Sequence, residues 1–319
     1  MTTVEQIVEQ IQYGKTFLIA AHENPDGDAI GSSLGLALAL RALGKEVTVF
    51  NVDPVPEMMR FLPQSDLFCQ SVPEDASYDV AFVLDAGDVS RTRLPIRELC
   101  RTMINIDHHP HSNFGDICFL DISACATAVL VYRVLVACGH QLDLDTAKAL
   151  YLGILSDTGS FRYSSANAEA FDVSGRLIAL GIDPWEMASQ LYESHAPERM
   201  RLLGMVLQTL EISDCGRYAS MSLTKDVLER SGAMEEHADG FVNYPRSIRG
   251  VEVACFINEL ADDHYKISFR SRGKVDVGQL ARDLGGGGHH NAAGAKIQAS
   301  LTETRAIIAR HLDQLLARS

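Results

Sequence analysis

Three short apolar runs in this chain end in clusters of acids and histidines: residues 17–21 before His22, Asp26 and Asp28, residues 80–84 before Asp85, and residues 103–106 before Asp107, His108 and His109. Runs of four or five mostly β-branched or aromatic residues, separated by helix-like stretches, read as buried strands of a parallel sheet. Such sheets bind their ligands beyond the carboxyl ends of the strands, so the three clusters are expected to converge in space. A fourth acid, Asp157, closes the helical run 150–155 and enters the turn SDTGSF.

The segments between the runs supply the helices. Val4, Ile7, Val8 and Ile11 repeat at helical spacing up to Gly14, whose place suits a left-handed helix end. The small and aliphatic run AIGSSLGLALALRAL predicts a helix packed on the sheet and stopped by Gly44, and EVTVF predicts the next strand. Further helices are expected at 124–138, 143–156, 167–180 and 197–211. This alternation predicts an α/β, doubly wound, mainly parallel N-terminal domain over residues 1–188. A helical connector is expected at 189–211, with Trp185 near it as a packing residue. Strands at 217–223, 251–260 and 264–270 and helices at 276–284 and 301–317 then predict a smaller α+β domain over 212–319, across a cleft from the first.

A chain of 319 residues is long enough for two domains, each burying its own core. Its 28 Lys and Arg against 42 Asp and Glu give a formal charge of -14, which argues against long duplex nucleic acid and leaves short or locally held anionic partners. The seven cysteines are odd in number and form no CxxC pair, so reduced, mostly buried thiols are expected in place of a disulfide framework. The apolar runs are too short to span a membrane, and no signal segment is evident, so a cytoplasmic protein without membrane association is expected.

In HENPDGD, Pro25 and Gly27 force a tight loop, allowing His22, Asp26 and Asp28 to point to one centre. Together with Asp85, His108 and Asp157 they form an oxygen-rich set that suits six-coordinate Mn²⁺ or Mg²⁺ better than tetrahedral zinc. Mn²⁺ is the first choice because nitrogen donors are present; Mg²⁺ and Co²⁺ are the alternatives. The donors exceed what one ion needs, and a shared carboxylate can bridge two ions roughly 3.5–4 Å apart. Asp85, alone at the end of a central strand, is the natural bridge. Each acid taken singly reads as a helix or turn cap, but four of them at element ends beside three histidines argue for bound cations.

These segments also carry a resemblance. HENPDGDAIGS, VLDAGD, the DHH at 107–109 and SDTGSF resemble, in order and spacing, the motifs of the DHH phosphoesterase superfamily. GGGGHHNAAG, preceded by FRSR at 269–272, is similar to the DHH-associated domain of the bacterial oligoribonuclease (nanoRNase) and 3′-phosphoadenosine 5′-phosphate phosphatase group. The resemblance implies that His22, Asp26 and Asp85 hold one ion, and that Asp28, Asp85, His108 and Asp157 hold the other. It implies that His109 faces substrate phosphate, with Asp85, His108 and His109 as the catalytic residues. It also implies a family-level homodimer. Asp107 is expected to orient a ligand histidine from behind, as carboxylates often do for metal-bound imidazoles.

In the second domain, Gly286, Gly287 and Gly288 allow close backbone approach to a ligand, with N–H groups free to cradle an anion. His289 occupies the GGGH position of that group and is preferred to His290. Arg270 and Arg272, two apart on an expected strand, would share a face and meet phosphate. Arg91 and Arg162 are weaker candidates. The expected activity is two-ion hydrolysis of very short RNA to nucleoside 5′-monophosphates, or removal of the 3′-phosphate of 3′-phosphoadenosine 5′-phosphate. The rivals are dinucleotide phosphodiesterase, pyrophosphatase or polyphosphatase, and a non-catalytic nucleotide sensor.

Overall fold

The apolar runs at 17–21, 80–84 and 103–106 become neighbouring strands of one sheet. A computed structural model describes residues 1–288 and 290–317 and divides the chain into two units, Met1–Ser194 and His195–Ser319. The first holds strands β1 (Thr16–Ala20), β2 (Glu46–Phe50), β3 (Phe68–Cys69), β4 (Tyr78–Leu84), β5 (Cys100–Asp107) and β6 (Ile117–Leu120). Its helices are α1 (Thr3–Tyr13), α2 (Gly27–Ala42), α3 (Ile96–Leu99), α4 (Thr127–Ala137), α5 (Leu144–Asp157), α6 (Ala168–Ile178) and α7 (Pro184–Tyr192). The strands run parallel in the order β3-β2-β1-β4-β5-β6. Chain order reverses between β1 and β4, which opens a crevice beyond their carboxyl ends.

The central strands are buried on both faces, which is why they read as unbroken apolar runs. Phe17, Ile19, Phe82 and Ile104 pack with the aliphatic side chains of α1, α2, α4 and α5. Leu18, Ala20, Ala81 and Val83 face the other way, against Ile96 of α3 and irregular segments carrying Val72, Val89 and Leu94.

Helix α2 is buried without interruption from Gly27 to Leu40, as expected of a helix with no polar face. Gly27, Gly31 and Gly35, four apart on one face, let it lie backbone to backbone against antiparallel α5. A Cβ on Gly31 would sit 2.4 Å from the Ala149 carbonyl oxygen and 2.8 Å from the Gly153 nitrogen. One on Gly27 would sit 2.4 Å from Ser156 Cβ. The amino end of α2 is thereby held beside the carboxyl end of α5.

Several local expectations need correction. Gly14 follows α1 in an extended conformation (φ −64°), not a left-handed one. Glycine is required there by space, since a Cβ would sit 2.7 Å from the Phe17 ring and 2.9 Å from the Gln10 carbonyl. Trp185, expected to pack, is 72 % exposed on α7. All seven cysteines are free, but only Cys125 and Cys255 are buried.

The second unit contains α8 (Pro197–Leu207), β7 (Glu211–Ile212), β8 (Tyr218–Leu223), α9 (Lys225–Ser231), α10 (Asn243–Arg246), β9 (Val253–Ala261), β10 (His264–Ser271), α11 (Val277–Asp283), β11 (Gly287–Gly288), β12 (Ala292–Gln298) and α12 (Leu301–Leu316). Its sheet has the order β11-β12-β10-β9-β8-β7, antiparallel except where β8 meets β9. One face packs against α11 and α12. On the other, Leu202, Leu203 and Val206 of α8 meet Met221 and Phe241, so this helix belongs to the core of the second unit. Among the described residues, no helix is long and apolar enough to cross a membrane.

The glycine contact generates a stability prediction. Gly31→Ala drives a methyl into backbone that cannot swing aside, and is expected to cost about 1–3 kcal/mol. In Gly175→Ala, on α6 with nothing within 4 Å of the new methyl, the lower helix cost of alanine should leave stability unchanged or raise it by about 0.5–1 kcal/mol. Thermal or urea unfolding of both variants checks the pair; equal effects would refute the close-contact account.

Candidate metal centre

Beyond β1 the chain turns so that His22 Nδ1 lies 2.7 Å from the Glu23 carbonyl. A carbonyl only accepts, so Nδ1 carries the proton and the Nε2 lone pair is left for a cation. That nitrogen lies 3.8 Å from Asp26 Oδ1 and 3.7 Å from Asp85 Oδ2. Asp26 caps α2, its Oδ1 accepting from the Asp28 and Ala29 N–H groups at 3.0 and 3.1 Å. The capping role read from the sequence as the ordinary alternative is therefore real at this residue, and it fixes the carboxylate beside His22.

Asp28, one residue into α2, is completely buried. Its Oδ2 accepts from Thr127 N at 2.5 Å and its Oδ1 from Ala128 N at 2.9 Å. Helix α4 begins after Ala126 without a side-chain cap of its own, so Asp28 satisfies its first N–H groups from another helix. Asp85 follows β4 in the left-handed region (φ 56°), turning its side chain back over the end of the sheet. Its Oδ1 accepts from Thr127 Oγ1 at 3.0 Å. His108 turns Nδ1 to the Ala124 carbonyl at 3.2 Å and Nε2 to Asp85 Oδ1, Asp157 Oδ2 and Asp28 Oδ2 at 3.5, 3.3 and 4.0 Å.

Two donor groups result, His22 with Asp26 and Asp85, and Asp28 with His108 and Asp157, each with its donor atoms within 4.8 Å of one another, and Asp85, His108 and His109 form a third set that overlaps them. Asp85 faces both, Oδ2 toward His22 and Oδ1 toward His108. The six residues singled out from the sequence as ligands thus lie together.

The electrostatics favour cations in this place. Burial pushes the Asp28 carboxyl up to about 6, despite the favourable charge of His108. Burial, then the neighbouring charges of Asp28, Asp26 and Asp157, push Asp85 well above the ordinary carboxylate range. Asp157 is raised by burial and by Asp28 and Asp26. Such crowding is unfavourable for bare carboxylates, and divalent ions reverse it. Oxygen-rich donors with two imidazole nitrogens fit hard or borderline cations.

Asp107 lies against His109 and not His108. Its Oδ1 meets His109 N at 2.9 Å and His109 Nδ1 at 2.7 Å, and its Oδ2 accepts from Gly87 N and Ser112 Oγ, both at 2.7 Å. It orients His109 and ties the β4 and β5 loops together, whereas His108 takes its orientation from a backbone carbonyl. Burial works to raise the Asp107 carboxyl, but the His109 hydrogen bond and charge, with two further donors, hold it below the usual range. Sequence reading missed Thr127 and Ala128, although the absence of Ser, Thr, Asp or Asn at position 126 signals a helix start needing a distant acceptor.

In the second unit, the glycine segment is not a free loop. Gly285 N and Gly286 N donate to the Arg282 and Ala281 carbonyls at 3.0 and 2.7 Å, closing α11. Gly287 and Gly288 pair with Gly294 and Ala293 of β12. A Cβ on Gly286 would sit 2.1 Å from the Gly294 carbonyl oxygen, whereas one on Gly287 meets nothing within 4 Å. Arg270 lies on β10, but Arg272 falls past its end, with Nε on the Arg246 carbonyl at 3.0 Å. His289 lies outside the described residues. Its neighbour His290 turns Nε2 to the Gly273 carbonyl at 2.9 Å. Arg162 donates through Nε to the Gly159 carbonyl at 2.6 Å and lies over the Tyr192 ring.

A family model described as the DHH family, N-terminal domain, matches residues 16–154, and one described as the DHHA1 domain matches residues 220–318. The chain is 36 % identical to the bifunctional oligoribonuclease and PAP phosphatase NrnA of Thermus thermophilus, over 88 % of this chain and 83 % of that protein. It belongs to the DHH family. The protein of the same name from Bacillus subtilis is 30 % identical over 92 % of each chain. The crystal structure of an exopolyphosphatase-related protein from Bacteroides fragilis superposes with a TM-score of 0.93 at 29 % identity, covering 98 % of this chain and 96 % of that one. As a member of the DHH family the chain is a metal-dependent phosphoesterase.

The raised carboxyls make a linkage prediction. A carboxyl whose pKa is higher folded than unfolded contributes stability that is complete below the unfolded value of about 4 and is lost as pH rises through the folded value. For Asp28 that value is about 6. Chelator-treated protein should therefore lose thermal stability from pH 5 to pH 7.5, and a divalent ion should stabilise it more at pH 7.5 than at pH 5. Differential scanning calorimetry with and without Mn²⁺ checks this; equal metal-induced shifts at both pH values contradict it.

Proposed function

We propose that this DHH phosphoesterase hydrolyses very short oligoribonucleotides to nucleoside 5′-monophosphates and removes the 3′-phosphate of 3′-phosphoadenosine 5′-phosphate, with Mn²⁺ as its cation. The observation that carries the reading is Asp85 with one oxygen toward each donor group, in a chain whose curated relatives at 36 and 30 % identity are oligoribonuclease and PAP phosphatase enzymes. Both reactions break the same bond, between phosphorus and a ribose 3′-oxygen. The water oxygen ends on phosphorus and the 3′-oxygen leaves with a proton, so one centre serves both.

In this reading His22, Asp26 and Asp85 hold one ion, and Asp28, Asp85, His108 and Asp157 the other. When bound, two divalent ions supply an acidified water and offset phosphate charge. The residues of the chain do the positioning. Glu23 and Ala124 carbonyls fix the ring nitrogens of His22 and His108 that face the cations. Asp107 aims His109 at a non-bridging phosphate oxygen, and Thr127 holds the shared carboxylate in register. Arg270, Arg272, Gly286, Gly287, Gly288 and His289 are assigned to the remainder of the nucleotide, which limits substrate length. With a formal charge of -14 the chain offers no track for a long duplex.

The purified chain with Mn²⁺ should release 5′-monophosphates from an RNA dinucleotide and AMP from 3′-phosphoadenosine 5′-phosphate. Faster turnover of pyrophosphate or of a polyphosphate than of either would overturn the assignment. Asp85→Asn, which the left-handed position tolerates, should fold normally and lose on the order of 10³-fold in hydrolysis rate, since the metal contribution is worth several kcal/mol. For the second unit, Gly287→Ala should leave stability and Mn²⁺ binding unchanged and raise KM for the dinucleotide about tenfold, a loss of about 1.4 kcal/mol of binding. Unchanged KM would remove that segment from substrate binding.

A further inference from the structure

Arg91 is held beside the centre by backbone and not by a carboxylate. Its guanidinium donates from Nη1 to the Ala86 carbonyl at 3.0 Å, one residue beyond Asp85. Its own carbonyl accepts from Glu23 N at 2.8 Å, tying it to the loop that follows β1. Two residues on, Arg93 makes a two-pronged pair with Glu23, at 2.9 and 2.8 Å. Among the described residues, no carboxylate lies within 4 Å of Arg91, although it sits half-buried beside a centre made of acids.

Gly87 lies between this side chain and His109. The glycine is left-handed (φ 68°) and gives its N–H to Asp107. A methyl built on Gly87 would lie 3.6 Å from Arg91 Nη1 and 3.8 Å from His109 Cγ, so the guanidinium and the imidazole flank the same small residue. The charge of Arg91 also reaches the His22 side, where it works against protonation of that ring.

Charge balance gives this placement a purpose. Four carboxylates, Asp26, Asp28, Asp85 and Asp157, would just neutralise two divalent ions, and His109 is already matched with Asp107. A phosphodiester brings further negative charge, which grows as the bond to the leaving oxygen breaks. We propose that Arg91 is a catalytic residue that donates from its guanidinium to a non-bridging oxygen of the reacting phosphate, beside His109. This rests on the phosphoesterase reading above. No proton is transferred and no bond is made to Arg91; it stabilises charge that the metal site has no surplus to meet.

The test uses the full chain and the variants Arg91→Ala and Arg91→Lys, with Arg93→Ala as the control for a paired arginine at the same loop. Arg91→Ala should keep the Mn²⁺-induced rise in melting temperature, lower kcat/KM on the RNA dinucleotide about 10²-fold or more, and weaken inhibition by AMP about tenfold. Arg91→Lys should recover part of the loss, as should millimolar guanidinium added to Arg91→Ala; Arg93→Ala should stay within about twofold of the parent. The proposal is overturned if Arg91→Ala keeps its kcat/KM and AMP inhibition. It is equally overturned if activity falls only in step with a lost Mn²⁺ response and guanidinium restores nothing, because Arg91 would then merely brace the loop. Absence of hydrolysis by the parent protein would instead sink the phosphoesterase substrate reading, and AMP-dependent thermal shifts of parent and Arg91→Ala would still decide the arginine.

Discussion

The centre depends on two helix backbones that nearly touch. Along Gly27, Gly31 and Gly35, α2 approaches α5 so closely that a single methyl at the middle position would overlap a carbonyl oxygen. At Gly31 backbone meets backbone, and at Gly27 and Gly35 the side chains of Ser156 and Leu150 fill the space, so the contact fixes how far the start of one helix lies from the end of the other. Asp28 stands at the first of those ends and Asp157 at the second. Gly153 extends the same logic, since a Cβ there would sit 2.8 Å from Asp28 Oδ1 and 2.6 Å from Ala128 Cβ. The small residues are thus placed where the acids must converge, and the sheet adds Asp85 and His108 from strand ends already in register.

Convergence carries an electrostatic cost that the protein offsets locally in different ways. Asp28 is satisfied by the opening N–H groups of α4, Asp26 by those of α2, and Asp107 by a serine, a glycine N–H and a histidine. Backbone donors hold these carboxylates in one orientation at little conformational cost, because the donors belong to rigid helices and tight turns. Asp85 has a single hydroxyl donor and a left-handed backbone, so the residue that faces both donor groups is also the one kept in place under strain.

Legibility from sequence follows locality. Strands buried on both faces were evident from their unbroken apolar runs, and the acids and histidines at their ends were evident because each cluster is contiguous. The α2 helix was legible, but its partner was not: periodicity marks a small-residue face without saying whether sheet or helix covers it. Which ring Asp107 would meet was not legible, because His108 and His109 follow it directly in the chain and only the turn at Ser112 and Gly87 decides between them. The glycines at 285–288 read as a free cradle, whereas the end of α11 takes two of their N–H groups and β12, itself overlooked in an alanine- and glycine-rich stretch, pairs with the rest. Helix α8 lacked any cluster and read as a link, although its leucines fill the second core.

The bond between Asp28 and the start of α4 joins residues 99 and 100 positions apart. A ribosome must therefore expose nearly 130 residues before the acid that opens α2 finds either of its partners. Until then, a carboxylate destined for a waterless interior has only solvent to hold it. The amino-terminal third of this polypeptide cannot complete its own architecture, and fragments ending before Thr127 are left with a charge that nothing in them can shelter.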